Sequence, residues 1–222
     1  MNFFGHAVLA IRHTTDPAFV LGAMLPDFAT MIRARPPLTE HAAIDSGMRF
    51  HWKTDDAFHR SQAFGDLTHA AVTWLSARGV RSGSALAAAH VGVEILLDAA
   101  LADDAPAQHA YLAALDGAGP RELGRHVTWA SDEQSMRFDR LRERLLERGA
   151  IAGDIAPEVV AGRLRRALAD RPRLALDDAA ELAVRDWVGT ARGRIGDCAA
   201  SLVRELAGQL SVTARDERDV RE

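Results

Sequence analysis

The sequence is short of what several protein classes require. A single cysteine, Cys198, rules out an internal disulfide and leaves no second thiolate for a zinc knuckle. Any metal must therefore be held by histidine and carboxylate, and a reducing, cytoplasmic setting is expected. Neither sign of charge prevails. With 27 basic and 31 acidic residues the net charge is −4, which gives no general attraction to nucleic acid or to an anionic membrane. Long apolar runs are also missing: the longest, Ala18 to Leu25, stops at Pro26-Asp27, short of the roughly 18 residues of a membrane span. Met1 to His6 lacks the positive charge of a secretory signal, and Arg12 and His13 break the apolar stretch that follows. An apolar content of 48% over 222 residues excludes disorder and suffices for a sizeable core.

What is abundant is alanine, leucine, arginine and glutamate, all good helix formers, while β-branched residues rarely alternate as strands require. The pattern predicts an all-α, single-domain bundle of about eight or nine helices. They are expected at Phe4–Arg12, Pro17–Met24, Thr39–Phe58, Gln62–Arg78, Ser84–Ala102, Ala105–Leu115, Arg121–Arg148, Pro157–Ala169 and Leu176–Gly208. Punctuation supports the boundaries: Asp16-Pro17 is a cap before a first-turn proline, and Gly79, Gly117 and Gly149 stand where helices should stop. One domain over 1–213 is expected, with its metal site in 1–105, an arginine-rich helical half over 120–213 and a frayed, charged tail at 214–222. A softer boundary lies at Gly149 to Pro157.

The histidines carry the functional signal. All nine lie at or before His126. Two segments are four-residue ladders, His51-x3-Asp55-x3-His59 and His90-x3-Glu94-x3-Asp98, so each puts three metal-capable groups on one helical stripe. The second ladder sits on a helix that is apolar almost all round, with Leu86, Val93, Leu97 and Leu101 on one stripe and Val91, Ile95 and Leu96 widening it. Burying Glu94 and Asp98 there costs several kcal/mol unless a cation or a hydrogen-bonded partner compensates. Either a metal ion or arginines from the C-terminal half fit that demand. His6 lies on the first amphipathic segment. Asp27 follows the apolar run at Pro26, which is expected to interrupt a helix, and by spacing alone it reads as a turn or cap aspartate.

The order of these motifs resembles the acyl carrier protein phosphodiesterase family. The likeness rests on Met1-Asn2-Phe3-x2-His6, Gly22-x2-Leu25-Pro26-Asp27-Phe28, Gly47-x3-His51-x3-Asp55 and Gly92-Val93-x-Ile95-Leu96-Leu97-Asp98, over about the first 105 residues. The resemblance implies an all-helical fold distantly related to HD-domain phosphohydrolases, and a metal-dependent hydrolase that removes the phosphopantetheine arm from a carrier protein. It also implies that His6, Asp27, His51, Asp55 and Asp98 match polar positions of the family, with Glu94 standing where the family has another aspartate. Two departures are visible: Asp56-Ala57-Phe58-His59 replaces Thr-Asp-x-His, and Asp98-Ala99 replaces Asp-His. The Gly-x2-Leu-Pro-Asp segment also looks like that of zinc-dependent phospholipase C proteins.

The expected metal-binding set is His6, Asp27, His51, Asp55, His90, Glu94 and Asp98, holding Mn²⁺, Zn²⁺ or Fe²⁺ as a pair of ions about 3.5–4 Å apart, since one ion could not use so many donors. His59 is the expected general acid, because imidazole donates a proton near neutral pH. Arg33 and Arg49 are expected to hold phosphate oxygens. The expected partner is a carrier protein or a small phosphoester, with no nucleic acid, no transmembrane segment and the oligomeric state left open. Two competing readings are a helical hydrolase of a phospholipid or nucleotide, and a non-catalytic helical binding protein.

Overall fold

A computed structural model describes residues 1–119 and 121–219, with side chains through residue 210. The protein is all-α, with nine α-helices among the described residues. These are α1 (Phe3–His13), α2 (Pro17–Met31), α3 (Ala42–Arg60), α4 (Gln62–Ser76), α5 (Ser82–Ala100), α6 (Ala105–Gly117), α7 (Asp132–Arg148), α8 (Pro157–Leu168) and α9 (Asp178–Asp219). Capping follows the sequence: Asp16 accepts from the Ala18 amide ahead of Pro17, and Ser61 and Asp104 cap α4 and α6 through their side chains.

Three expected boundaries shift, each for a local reason. Helix α2 runs through Pro26 and ends only at Met31, because Phe28 and Ala29 are buried and their packing outweighs the lost backbone bond. The expected helix from Arg121 is broken: a 3-10 turn at Leu123–His126 and the strand β2 (Val127–Thr128) precede α7. A side chain at Gly124 would press on Ala118 O and Gly119 O, and Ser131 supplies a fresh cap. β2 pairs antiparallel with β1 (Leu38–Thr39), Leu38 opposite Thr128, so Thr39 is extended and does not open α3. Of the tail expected at 214–222, the backbone is helical through Asp219, and 220–222 lie outside the described residues.

The chain gathers into two compact units. The first comprises Met1–Ala57, Ala102–Ile151 and the chain from Val203; the second comprises Phe58–Leu101 and Ala152–Leu202. One crossing, between Ile151 and Ala152, falls within the soft boundary at Gly149 to Pro157.

In the first unit the apolar residues of α1 are buried from Phe3 to Ala10, and Tyr111 of α6 packs on Phe3 and, edge to face, on Phe4. Helices α2 and α3 cross backbone to backbone at Gly22 and Gly47. A Cβ on Gly22 would lie 2.1 Å from Ile44 O, and one on Gly47 would lie 2.2 Å from Phe19 O. Only residues without a Cβ permit that approach. It sets Ala23, the next residue of α2, beside His51, one turn beyond Gly47.

In the second unit α5 packs on α4 and α8, and Gly92 of α5 receives the Trp187 ring of α9. By length and composition α5 matches a membrane-crossing helix, which the sequence reading did not anticipate. Within the protein, 56% of that window is buried, and the helix carries His90, Glu94 and Asp98.

Candidate metal centres

The first unit brings together His6 of α1, Asp27 of α2 and His51 of α3, with their donor atoms all within 4.8 Å of one another. His6 is fully buried and His51 nearly so, and their ring centroids are 3.9 Å apart. The Nδ1 hydrogen bonds single out Nε2 as the nitrogen each ring offers to a cation. His51 Nδ1 donates to Ala23 O at 2.9 Å, which leaves Nε2 with its lone pair. The Ala23 carbonyl accepts this bond through its second lone pair, beside its place in α2. Thr54 directs its one hydroxyl proton to His51 O at 2.8 Å, so it can only accept from His6 Nδ1, also at 2.8 Å.

His6 Nε2 then turns a lone pair toward Met1 O at 3.0 Å, Asp55 Oδ1 at 3.7 Å and Asp27 Oδ2 at 3.9 Å. Four electron-rich atoms face one another. The Met1 ammonium on Asp55 Oδ1 offsets part of the repulsion and a proton or a further cation relieves the rest, while burial, opposed by the Asp55 carboxylate, holds His6 below its ordinary pKa and disfavours the proton. His51 is lowered to about 3, by burial first and then by His6. Both rings are neutral near pH 7, the state in which imidazole ligates metal. Asp55 stands at the edge of this group, its Oδ1 accepting from the Met1 ammonium at 2.7 Å.

These shifts predict acid sensitivity in chelator. Between the unfolded value near 6.5 and the folded value of about 3, the unfolded chain takes up a proton that His51 refuses. Stability is therefore constant above about pH 6.5 and falls below it, by about 1.4 kcal/mol per pH unit for His51, or about 2 kcal/mol at pH 5. His6 adds loss of the same sign. Urea midpoints measured from pH 7 to pH 5 check this, and a flat profile contradicts it.

The second unit brings together His59, His90 and Glu94. His59 Nε2 and His90 Nε2 are 3.1 Å apart, and Glu94 Oε1 lies 3.4 Å from the first and 3.3 Å from the second. A cation about 2.0–2.2 Å from three such donors, at near-tetrahedral angles, separates them by about 3.3–3.6 Å. The observed triangle is close to that size. Phe64 meets both imidazoles edge to face, with centroids at 5.1 Å, and braces them in a stack tilted by only 14°. Burial pushes the Glu94 carboxyl up, but hydrogen bonds with His59 and His90 outweigh it and hold the group below the usual carboxylate range.

No family model, curated protein or solved structure matches the chain.

The sequence-derived donors are thus placed in two groups. His6, Asp27 and His51, with Asp55 beside them, belong to one unit; His59, His90 and Glu94 belong to the other. Asp98 is buried one turn beyond Glu94 but is not among the converging atoms of either group. Of the two arginines, Arg49 is largely exposed and pairs with Asp45 one turn earlier, and Arg33 lines a groove with Arg137, Arg140 and Arg144. The sequence reading overlooked Thr54 and the Ala23 carbonyl. The position of Thr54, three residues after His51 and so free to bond its carbonyl, was the available signal for the first.

Proposed function

We propose that this chain is a metal-dependent phosphoester hydrolase, with one divalent cation, Mn²⁺, Zn²⁺ or Fe²⁺, on each triad. The single observation that carries the reading is His6 Nε2, a buried imidazole lone pair facing carbonyl and carboxylate oxygens with its other nitrogen committed to Thr54. The Met1 ammonium on Asp55 offsets only part of its cost, and a metal cation suits the remaining donors. Oxygen and nitrogen donors without thiolate favour those metals over copper(I).

His6 and His51 bind through Nε2, each oriented from behind by a hydrogen bond on Nδ1, while Asp27 supplies the anionic donor. Asp55 accepts hydrogen bonds at the rim, where a water or a substrate hydroxyl can reach it, being about a third exposed. A bound cation supplies Lewis acidity toward the phosphoryl oxygens and the attacking water. His59, expected as a general acid, serves as a donor of the second triad, since its Nε2 is the atom that converges with His90 and Glu94. The motif resemblance makes a phosphopantetheinyl carrier protein the first substrate to test, and an HD-like relation belongs to the same proposal.

The test combines elemental analysis with activity. Purified protein is expected to hold divalent metal in stoichiometric amount and to hydrolyse bis-p-nitrophenyl phosphate or holo-carrier protein, with EDTA abolishing both. Metal without hydrolysis of diester, phospholipid or nucleotide favours the helical binding protein. Absence of metal, with no stabilisation by added Mn²⁺ or Zn²⁺, overturns the metal reading itself.

A further inference from the structure

In the first unit, the end of α2 and the exposed face of α7 enclose a groove of about 570 Å³. Its charge is not that of the chain. Arg33, Arg137, Arg140 and Arg144 line it, against Glu143 and Glu147, in a protein whose net charge is −4. The three arginines of α7 are spaced three and four residues apart, and so stand on one face of the helix. Its size lies within the about 300–1,000 Å³ of small-molecule sites.

Two further observations show that the guanidinium groups are organised. Arg137 is anchored at both ends of its fork, donating to Ile32 O and to Glu133, and it ties α7 to the end of α2. Arg144 donates through Nε to Arg140 O at 3.1 Å, which leaves its two terminal nitrogens as a planar pair for a ligand. Neither Arg140 nor Arg144 pairs with a carboxylate among the described residues. Arg33 follows the last residues of α2 in the left-handed region, φ 58°, with the Ala34 amide closing the turn onto Ala29 O. Glycine takes that position without strain and arginine does not. The turn thus holds a guanidinium at the groove where a cheaper residue would end the helix as well.

We propose that this groove binds a phosphorylated small molecule, its phosphate held by Arg33, Arg140 and Arg144. Arginine forks match phosphate oxygens two at a time, and Arg144, already anchored through Nε, loses little freedom on binding. Glu143 and Glu147 accept hydrogen bonds from the hydroxyl or amino groups of the rest of the molecule. The same two carboxylates disfavour a dense polyanion filling the whole groove. Nothing in this inference depends on the metal centres.

Calorimetric titration of the full chain with sodium pyrophosphate, in EDTA, is the test. EDTA keeps the triads out of the signal, so the outcome is independent of the metal reading. Saturable one-to-one binding is expected, weakened at least tenfold by Arg140→Gln combined with Arg144→Gln and unchanged by Arg171→Gln in the other unit. Arg33→Gly guards against misfolding. It relieves the left-handed residue, so the melting temperature is expected to hold or rise while binding falls several-fold. Absence of binding, or equal binding by the variants, overturns the proposal. So does tighter binding of a glutamate-rich peptide, or of vesicles containing phosphatidic acid, than of soluble pyrophosphate, since the occupant is then a protein or a membrane.

Discussion

Replacing His51 with alanine is expected to reduce bound divalent metal from two ions to one and to leave a helical protein. The lost ion is that of the first unit, where His51 is one of three converging residues. The second triad shares no residue with it and keeps its ion. Thr54→Val forms the graded comparison. It removes the acceptor that fixes the His6 ring and leaves Nδ1 buried without its partner, so affinity falls by the about 10–100-fold typical of an outer hydrogen-bond partner. Loss of the ligand itself costs more than that. Hydrolysis follows the occupancy of the first centre in both variants. Elemental analysis and Mn²⁺ titration by electron paramagnetic resonance, with circular dichroism as the fold control, measure the series. Two ions retained by His51→Ala would remove His51 from the metal set.

Gly47→Ala is expected to destabilise the protein by about 3 kcal/mol or more, at the upper end of overpacking effects. The added Cβ meets Phe19 O at 2.2 Å and Ala23 N at 2.9 Å, both backbone atoms, so no side chain can rotate away. Helices α2 and α3 must separate instead. That separation withdraws Ala23 O from His51 Nδ1, so metal affinity of the first centre declines together with the denaturation midpoint. Gly65→Ala on α4 is the control, because a Cβ there has open space around it and alanine favours the helix. A Gly47→Ala protein as stable as the parent would show that the crossing can yield.

Much of the fold was legible because helix ends are written locally. Asp16-Pro17, Ser61 and Asp104 act through their nearest neighbours, and the sequence places the starts of their helices almost to the residue. Helix α2 was read too short because proline speaks against a helix locally, while the buried Phe28 and Ala29 that carry it onward act through tertiary packing. The β1–β2 pair is two residues long on each side, below the length at which alternation can be seen. For the candidate site, the four-residue ladders identified the donor types and most of the donors. They could not reveal how α3 divides its stripe, His51 and Asp55 going to one unit and His59 to the other, because periodicity along a continuous helix carries no record of which neighbours it meets. The arginines of α7 were equally visible as charges, but their groove needs Met31 and Arg33 from a distant part of the chain.

The imidazole proton of His51 is fastened to Ala23, one residue along α2 from the glycine that lets α3 come so near. A pull on that ring is therefore carried straight into the seam between the two helices, and a slip of the seam turns the ring. Stiffness of the seam and readiness of the ring become a single mechanical property, set by two absent β-carbons.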